Sequence, residues 1–205
     1  DMILNAILSG VELGFYVDVG ANNPTELSNT HFFYKKGWNG INIDALPGSM
    51  KKFNRLRRRD INLEIPISDR QEILKYYMFS CSFYNSFSEE TAIKQKDRLI
   101  GTKELRTEKL SVIFDKYLKN REIDFLTVDV EGLDFQVIKS NDWTKYRPKL
   151  IIVELNGHGI ESVSENEISK FLAEKGYSFY SFSINNIFYI ENEFYKIRYP
   201  NKYKN

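Results

Sequence analysis

Phe15-Tyr16-Val17-Asp18-Val19-Gly20-Ala21-Asn22-Asn23 decides the fold of this chain. Its first five residues are rich in β-branched and aromatic types and read as a buried strand. Gly20-Ala21-Asn22-Asn23 reads as a turn, in which Gly20 permits a tight bend and a close approach of a ligand to the backbone. Asn23-Pro24-Thr25-Glu26 then reads as a capping box, with Ser28 as an equal second cap, and predicts a helix running to about Lys36 and closed by Gly37. Working outward, Ile3, Leu4, Ile7, Leu8 and Val11 have helical spacing within a segment from Asp1 to Leu13, stopped by Gly14. Downstream, strands are expected at Gly40–Asp44, Ile61–Ile67, Ile123–Asp129 and Pro148–Leu155, with an extra one at Glu72–Phe79. Helices are expected at Pro47–Arg58, Ser111–Asn120, Leu133–Ser140 and Glu165–Glu174, with a further start at Ser86–Glu90. Tyr177–Ser183 and Ile187–Ile190 flank Asn185-Asn186 as a hairpin, and a basic, tyrosine-bearing tail follows. Strand–helix alternation of this kind predicts an α/β domain with a mostly parallel sheet closed by an antiparallel hairpin. Its 205 residues suit a single domain, 1–205.

Composition removes several function classes. Cys81 is the only cysteine, so neither a disulfide framework nor a thiolate metal site is available. Lys and Arg number 29 against 28 Asp and Glu, which argues against a dedicated nucleic-acid binder. No apolar run reaches the roughly 20 residues that span a bilayer, so a cytoplasmic place is expected, with a peripheral station at a membrane surface as its refinement. The start at Asp1 leaves a lost upstream segment open. Aromatic residues, at 15%, are the one excess that composition does not explain.

Open parallel sheets bind ligands at the carboxyl ends of their strands, and there the chain carries acids. Asp18 stands within an otherwise apolar strand and needs a donor or a cation. One glycine stands where a dinucleotide fingerprint has three, which disfavours a nicotinamide dehydrogenase. Asp44 ends the second strand and is placed to accept from two ribose hydroxyls. The third strand ends at Pro66-Ile67-Ser68-Asp69, where Ser68 or Asp69 could accept from an adenine amine and Ile67 could pack on the ring. Asp129 ends the fourth strand, with Glu131 and Asp134 just beyond it, although Asp134 also fits the acid preference of a helix start. Glu154 terminates the buried run of the fifth, with Asn156 and His158 just beyond it. Such acids repel one another unless a cation or several hydroxyls bind there. An adenosine bearing a sulfonium answers both needs, with its amino-acid end on the first-strand loop at Asn22. That is the physical case for S-adenosylmethionine.

Residues 15–24, Ser28-Asn29-Thr30 with Phe33-Tyr34, Gly37-Trp38-Asn39-Gly40, Ile43-Asp44-Ala45-Leu46-Pro47 and Ile123–Gly132 resemble the FkbM-type methyltransferases. The resemblance covers about residues 14 to 175 as linked motifs in the right order. It implies a Rossmann-like S-adenosylmethionine-dependent methyltransferase fold with a mostly parallel seven-stranded sheet, acting most often on a hydroxyl oxygen. Carried over, Asp18, Gly20, Asn22 and Asp44 fall on cofactor positions, and Asp129 and Glu131 on the acidic pair beside the transferred methyl. The family often has Glu where Asp44 and Asp134 stand here. Many members modify sugars in polysaccharides, glycolipids or secondary metabolites.

Methyl transfer places an acceptor oxygen in line with the methyl and the sulfur, and a sugar hydroxyl needs help to lose its proton. Two routes fit the residues. Asp129, Glu131 or His158 acts as base, or Asp129 with Glu154 and Asn156 holds magnesium, which suits oxygen ligands. Tyr76-Tyr77-Met78-Phe79 and Phe83-Tyr84 make residues 72–106 a candidate acceptor lid. Lys51, Lys52, Arg55, Arg57, Arg58 and Arg59 read either as a solvated helix face or, with Lys196, Arg198, Lys202 and Lys204, as a surface for a nucleotide- or lipid-linked sugar. The acceptor is therefore expected to be a sugar or glycan, with a homodimer as an open option. The rivals are methylation of a non-sugar hydroxyl or amine, and a nucleoside-binding domain without catalysis.

Overall fold

A computed structural model describes residues 2–154, 163, 165–183 and 185–203. Its main sheet has seven strands: β1 (Phe15–Val19), β2 (Asn39–Asp44), β3 (Ile61–Glu64), β6 (Phe125–Val128), β7 (Leu150–Glu154), β8 (Tyr177–Ser183) and β9 (Asn186–Glu191). They lie in the order β3-β2-β1-β6-β7-β9-β8. The five strands from β3 to β7 are parallel, and β9 and β8 add the antiparallel hairpin. This is the expected α/β, Rossmann-like methyltransferase architecture. The chain steps outward from β1 to β3 and then returns to β6 on the other side of β1, so the order reverses between β1 and β6. The carboxyl ends of these two strands form the crevice where such sheets hold ligands.

The interior strands are buried on both faces, which is why they read as continuous apolar runs. On one face Val17, Val19, Ile43, Leu126, Val128, Ile151 and Val153 pack with α5 (Leu110–Tyr117), α6 (Asp134–Lys139) and α7 (Glu167–Glu174). On the other, Tyr16, Phe125, Leu150, Ile152, Phe188 and Ile190 meet α1 (Met2–Ile7), α2 (His31–Lys35) and Trp38. Between β3 and α5, β4 (Ile73–Phe79) and β5 (Leu99–Arg106) form a separate two-stranded arm. The arm carries the short helix α4 (Glu89–Lys94), whose cap Ser88 accepts from the Thr91 amide at 3.2 Å.

Three local expectations change. The first helix ends at Ile7, because Gly10, at φ 92, turns the chain well before Gly14. The capping box at Asn23 makes its hydrogen bonds, with Asn23 Oδ1 accepting from the Thr25 and Glu26 amides at 3.0 and 3.2 Å, yet no helix follows. Leu27 takes φ 52 and breaks the run, and Ser28 Oγ, accepting from the His31 amide at 3.2 Å, starts α2 instead. Residues 21–30 are thereby left as a loop over the sheet. The basic tail is a helix, α8 (Asn192–Arg198), started by the Glu191 carboxylate on the Phe194 amide. Tyr199 of this end stacks on Tyr180 and Tyr195 meets it edge-on, all against the second core, which accounts for part of the aromatic excess.

Candidate active site

The crevice is a cleft of about 1050 Å³ above the carboxyl ends of β1, β2, β6 and β7. Its floor depends on Gly20. A Cβ there would lie 1.7 Å from the Asp129 carbonyl oxygen, so the backbones leaving β1 and β6 touch only because the side chain is absent. Gly20, at φ 88, is also in a region that favours glycine. Its amide and that of Ala21 donate to the Ile43 carbonyl, tying the β1 loop to β2.

Asp44 ends β2 and organises that loop. Its carboxylate accepts from the Asn22 amide at 2.8 Å and from the Leu46 amide at 2.7 Å. Burial raises its pKa and these amides oppose the rise. Beyond these amides the carboxylate retains acceptor capacity for a ligand hydroxyl. Asp18 is buried, with Oδ2 accepting from Thr30 Oγ1 at 3.0 Å. Burial pushes its pKa up to about 6, against the pull of Thr30 and of Arg57.

At the other end of the cleft, Asp129, Glu131 and Glu154 place carboxylate oxygens within 4.8 Å of one another. Asp129 opens onto the cleft but stands deep among protein atoms. Burial, and then the Glu154 charge and a hydrogen bond between the two carboxyls, lift its pKa far above the carboxylate range. Glu131 is raised to about 7, by burial and by the charges of Glu154 and Asp134. Glu131 holds φ 52, a strained conformation for a residue with a side chain. Asp134 fixes it there: its two oxygens accept from the Val130 amide at 3.0 Å and the Gly132 amide at 3.3 Å. Asp134 is thus a loop clamp at the start of α6, in keeping with the acid preference of helix starts.

Most of the expected residues therefore share one cleft: Asp18, Gly20, Asn22, Asp44, Asp129, Glu131 and Glu154 all line it. Ser68 and Asp69 do not. Ser68 is buried, its amide bonded to the Glu108 carbonyl, and Asp69 pairs with Lys139 of α6 at 3.1 Å. The flat apolar wall at that edge comes from Ile65, Pro66 and Ile67. Asn156 and His158 lie outside the described residues.

The arm overhangs the site. Tyr76, Phe83 and Tyr84 line the cleft together with Phe87, whereas Tyr77 and Phe79 pack on Ala92 inside the arm. Ser82 Oγ donates to Asn22 Oδ1 at 3.1 Å, and Ser86 Oγ donates to the Glu131 carbonyl. One element thus touches both ends of the site. Other lining residues left no mark as such in the sequence. His31 and Lys35 sit on the side of α2 facing the cleft, and Asn185 and Asn186 read only as a turn. Asn186 reaches the site because β9 pairs it with Glu154.

The largest correction is Arg57. In sequence it belongs to a basic run, and Lys51, Lys52, Arg55, Arg58 and Arg59 are indeed exposed. Arg57 follows the last turn of α3 (Met50–Leu56) and is fully buried beneath the 21–30 loop.

The cleft thus lies at the switch point of the sheet, with one acid at the end of β2 and a cluster of acids at the ends of β6 and β7. The sequence matches the methyltransferase FkbM domain over residues 18–179, and the chain belongs to that family. The crystal structure of a methyltransferase FkbM from Methylobacillus flagellatus superposes with a TM-score of 0.56 over 87% of this chain. Its identity is 12%, so the likeness is one of fold, and this chain spans 44% of that protein's length. No curated protein matches the sequence. Among the described residues no helix is long and apolar enough to cross a membrane.

Proposed function

We propose that this chain transfers a methyl group from S-adenosylmethionine to a hydroxyl oxygen of a sugar or glycan-type acceptor, with residues 72–106 as the acceptor lid. The observation that carries the reading is the meeting of two surfaces in one cleft: the Asp129–Glu131–Glu154 carboxyls, and the rings of Tyr76, Phe83, Tyr84 and Phe87. Sugars offer apolar faces for rings and hydroxyls for carboxylates. The cleft residues fit the donor. Asp44 has acceptor capacity for ribose hydroxyls, Ile65 to Ile67 give a flat ring an apolar wall, and the acid cluster suits a positive sulfur.

When bound, S-adenosylmethionine supplies an electrophilic methyl on a sulfonium. The chain's own work is to hold the acceptor and take its proton. Glu131, raised to about 7, is a base whose proton affinity lies near neutral pH. Burial and the neighbouring Glu154 charge raise Asp129, which hydrogen-bonds to Glu154, and the remaining oxygens of the pair are acceptors for the hydroxyls of a bound sugar. His158 stays a further candidate base.

A magnesium route is the second reading, favoured by the 4.8 Å spacing of the three carboxylates. Asp129, Glu131 and Glu154 would then hold the ion, and Asn156 is the remaining candidate ligand. Activity that survives exhaustive chelation removes this route.

Calorimetry with S-adenosylhomocysteine tests the cofactor claim, and absence of binding by a folded chain would sink it. Labelled methyl transfer to free, nucleotide-linked and lipid-linked sugars then tests the acceptor. Label appearing on amines, or on non-sugar hydroxyls alone, transfers the assignment to the rival classes. Binding without transfer to any acceptor favours a nucleoside-binding domain.

A further inference from the structure

We infer that Arg57, acting through Thr30, is the positioning residue that shapes the loop at residues 21–30 for the cofactor. The inference rests on the methyltransferase reading above. Arg57 is the largest fully buried side chain of the described residues, and every N–H of its guanidinium has a partner. Nε donates to the Pro24 carbonyl at 2.9 Å. Nη1 donates to Tyr16 Oη and to the Thr30 carbonyl, each at 3.3 Å. Nη2 donates to Ser28 Oγ at 3.1 Å and to Thr30 Oγ1 at 2.7 Å. Three of these partner residues belong to the loop whose Asn22, Asn23, Ser28 and Asn29 line the cleft.

The buried charge is balanced by Asp60, whose carboxylate lies 4.0 Å from Nη1, and through two hydroxyls. Thr30 Oγ1 accepts from Arg57 and donates to Asp18 at 3.0 Å. Tyr16 Oη accepts from Arg57 and donates to Asp60 at 2.7 Å. Asp60 in turn accepts from the Gly40 amide and Asn42 Nδ2, which anchors the system in β2. One guanidinium therefore connects a cleft acid, the cleft loop and the sheet.

The planar fork explains the residue type. Lysine offers three donors from one point and cannot reach Pro24, Ser28, Thr30 and Tyr16 at once. It also explains why a loop with a left-handed Leu27 keeps one shape: its inward-facing oxygens are occupied, so backbone groups toward the cleft stay where a ligand meets them.

Thr30 gives the sharper test, because Thr30→Val keeps the shape and removes the hydroxyl, while Thr30→Ser restores it. The wild-type chain, Thr30→Val, Thr30→Ser and Arg57→Lys are titrated with S-adenosylhomocysteine by calorimetry, at a temperature where melting shows each to be folded. We expect Thr30→Val and Arg57→Lys to bind about tenfold or more weakly, and Thr30→Ser to lie near wild type. On an acceptor that the wild type methylates, the loss should fall on KM for S-adenosylmethionine, with kcat at saturation kept within about twofold. Folded Thr30→Val that binds as tightly as wild type overturns the inference. So does a Thr30→Ser as weak as Thr30→Val, or a fall in kcat with KM unchanged. A wild-type chain that binds no S-adenosylhomocysteine defeats the underlying reading instead, so the two failures are distinguishable.

Discussion

The two ends of the cleft hold acids in opposite states. At the β1–β2 end, Asp18 and Asp44 are met by donors: Thr30 for one, two backbone amides for the other. At the β6–β7 end, Asp129, Glu131 and Glu154 face one another. Asp134, the fourth acid there, spends its oxygens on the loop amides. The first end is preorganised before any ligand arrives, whereas the second stores repulsion that a cation, a proton or a hydroxyl relieves. Under the proposed function the contrast separates the tasks: β1 and β2 would hold the cofactor, and β6 and β7 would act on what is transferred.

The strongest way to break this contrast is Asp129→Asn. If the acidic end performs the chemistry, turnover on a true acceptor should fall by about 10²–10⁴-fold, with S-adenosylhomocysteine affinity changed far less. Full turnover in that variant would strip Asp129 of its role. Next in size is Gly20→Ala, which forces a Cβ against the Asp129 carbonyl and so damages both ends together. A loss of about 3 kcal/mol or more in urea unfolding, accompanied by loss of ligand binding, is expected. A chain that tolerates alanine there would show that the two loops can separate.

Asp44→Ala should act on one end alone, weakening S-adenosylhomocysteine about 10- to 100-fold in calorimetry. Smaller again is the pH effect of the acidic end. Glu131 loses its proton near 7 in the folded chain and near its ordinary 4.5 when unfolded. Between those values the folded chain binds more protons, so its stability falls as pH rises from 4.5 through 7. Glu131→Gln should therefore stabilise the chain above pH 7 and lose that advantage near pH 4. With allowance for water in the open cleft, the gain is about 1 kcal/mol. Urea midpoints of both chains at the two pH values decide it, and a gain at low pH alone would reverse the sign. The smallest effect belongs to Asp69→Ala. Asp69 pairs with Lys139 at the surface, outside the cleft, so stability should change by at most about 0.5 kcal/mol and ligand affinity not at all. A measurable drop in affinity would return Asp69 to the adenine edge.

Much of the architecture was legible in residue order. The sequence marks β1 at its true bounds, and the other main strands, α5, α6 and α7 to within a few residues, because apolar runs, turn residues and helix starts are local signals. Asp18, Gly20, Asn22, Asp44 and Asp129 were placed by the same logic, since each sits at a strand end. Misreadings came where a local signal met a distant competitor. Asn23 forms its capping box, but Leu27 takes a left-handed turn and Arg57, far along the chain, holds the next residues out of a helix. Ser68 and Asp69 are expected at the end of the third strand, yet β3 stops at Glu64 and Lys139 takes the aspartate.

Residue order alone determined the class of sheet, the switch point and the acids that crown it, because burial pattern and turn chemistry depend on neighbours a few positions apart. Only the tertiary structure decided which charges are solvated and which are built in. Arg57 is indistinguishable from Arg55 or Arg58 in composition and spacing, and becomes the anchor of the loop at residues 21–30 because residues 27 to 41 positions away bring their oxygens to it. The pairing of Asp129 with Glu154 likewise arises from the adjacency of β6 and β7. A buried charge is stable only where several partners converge, and that convergence is a property of the fold.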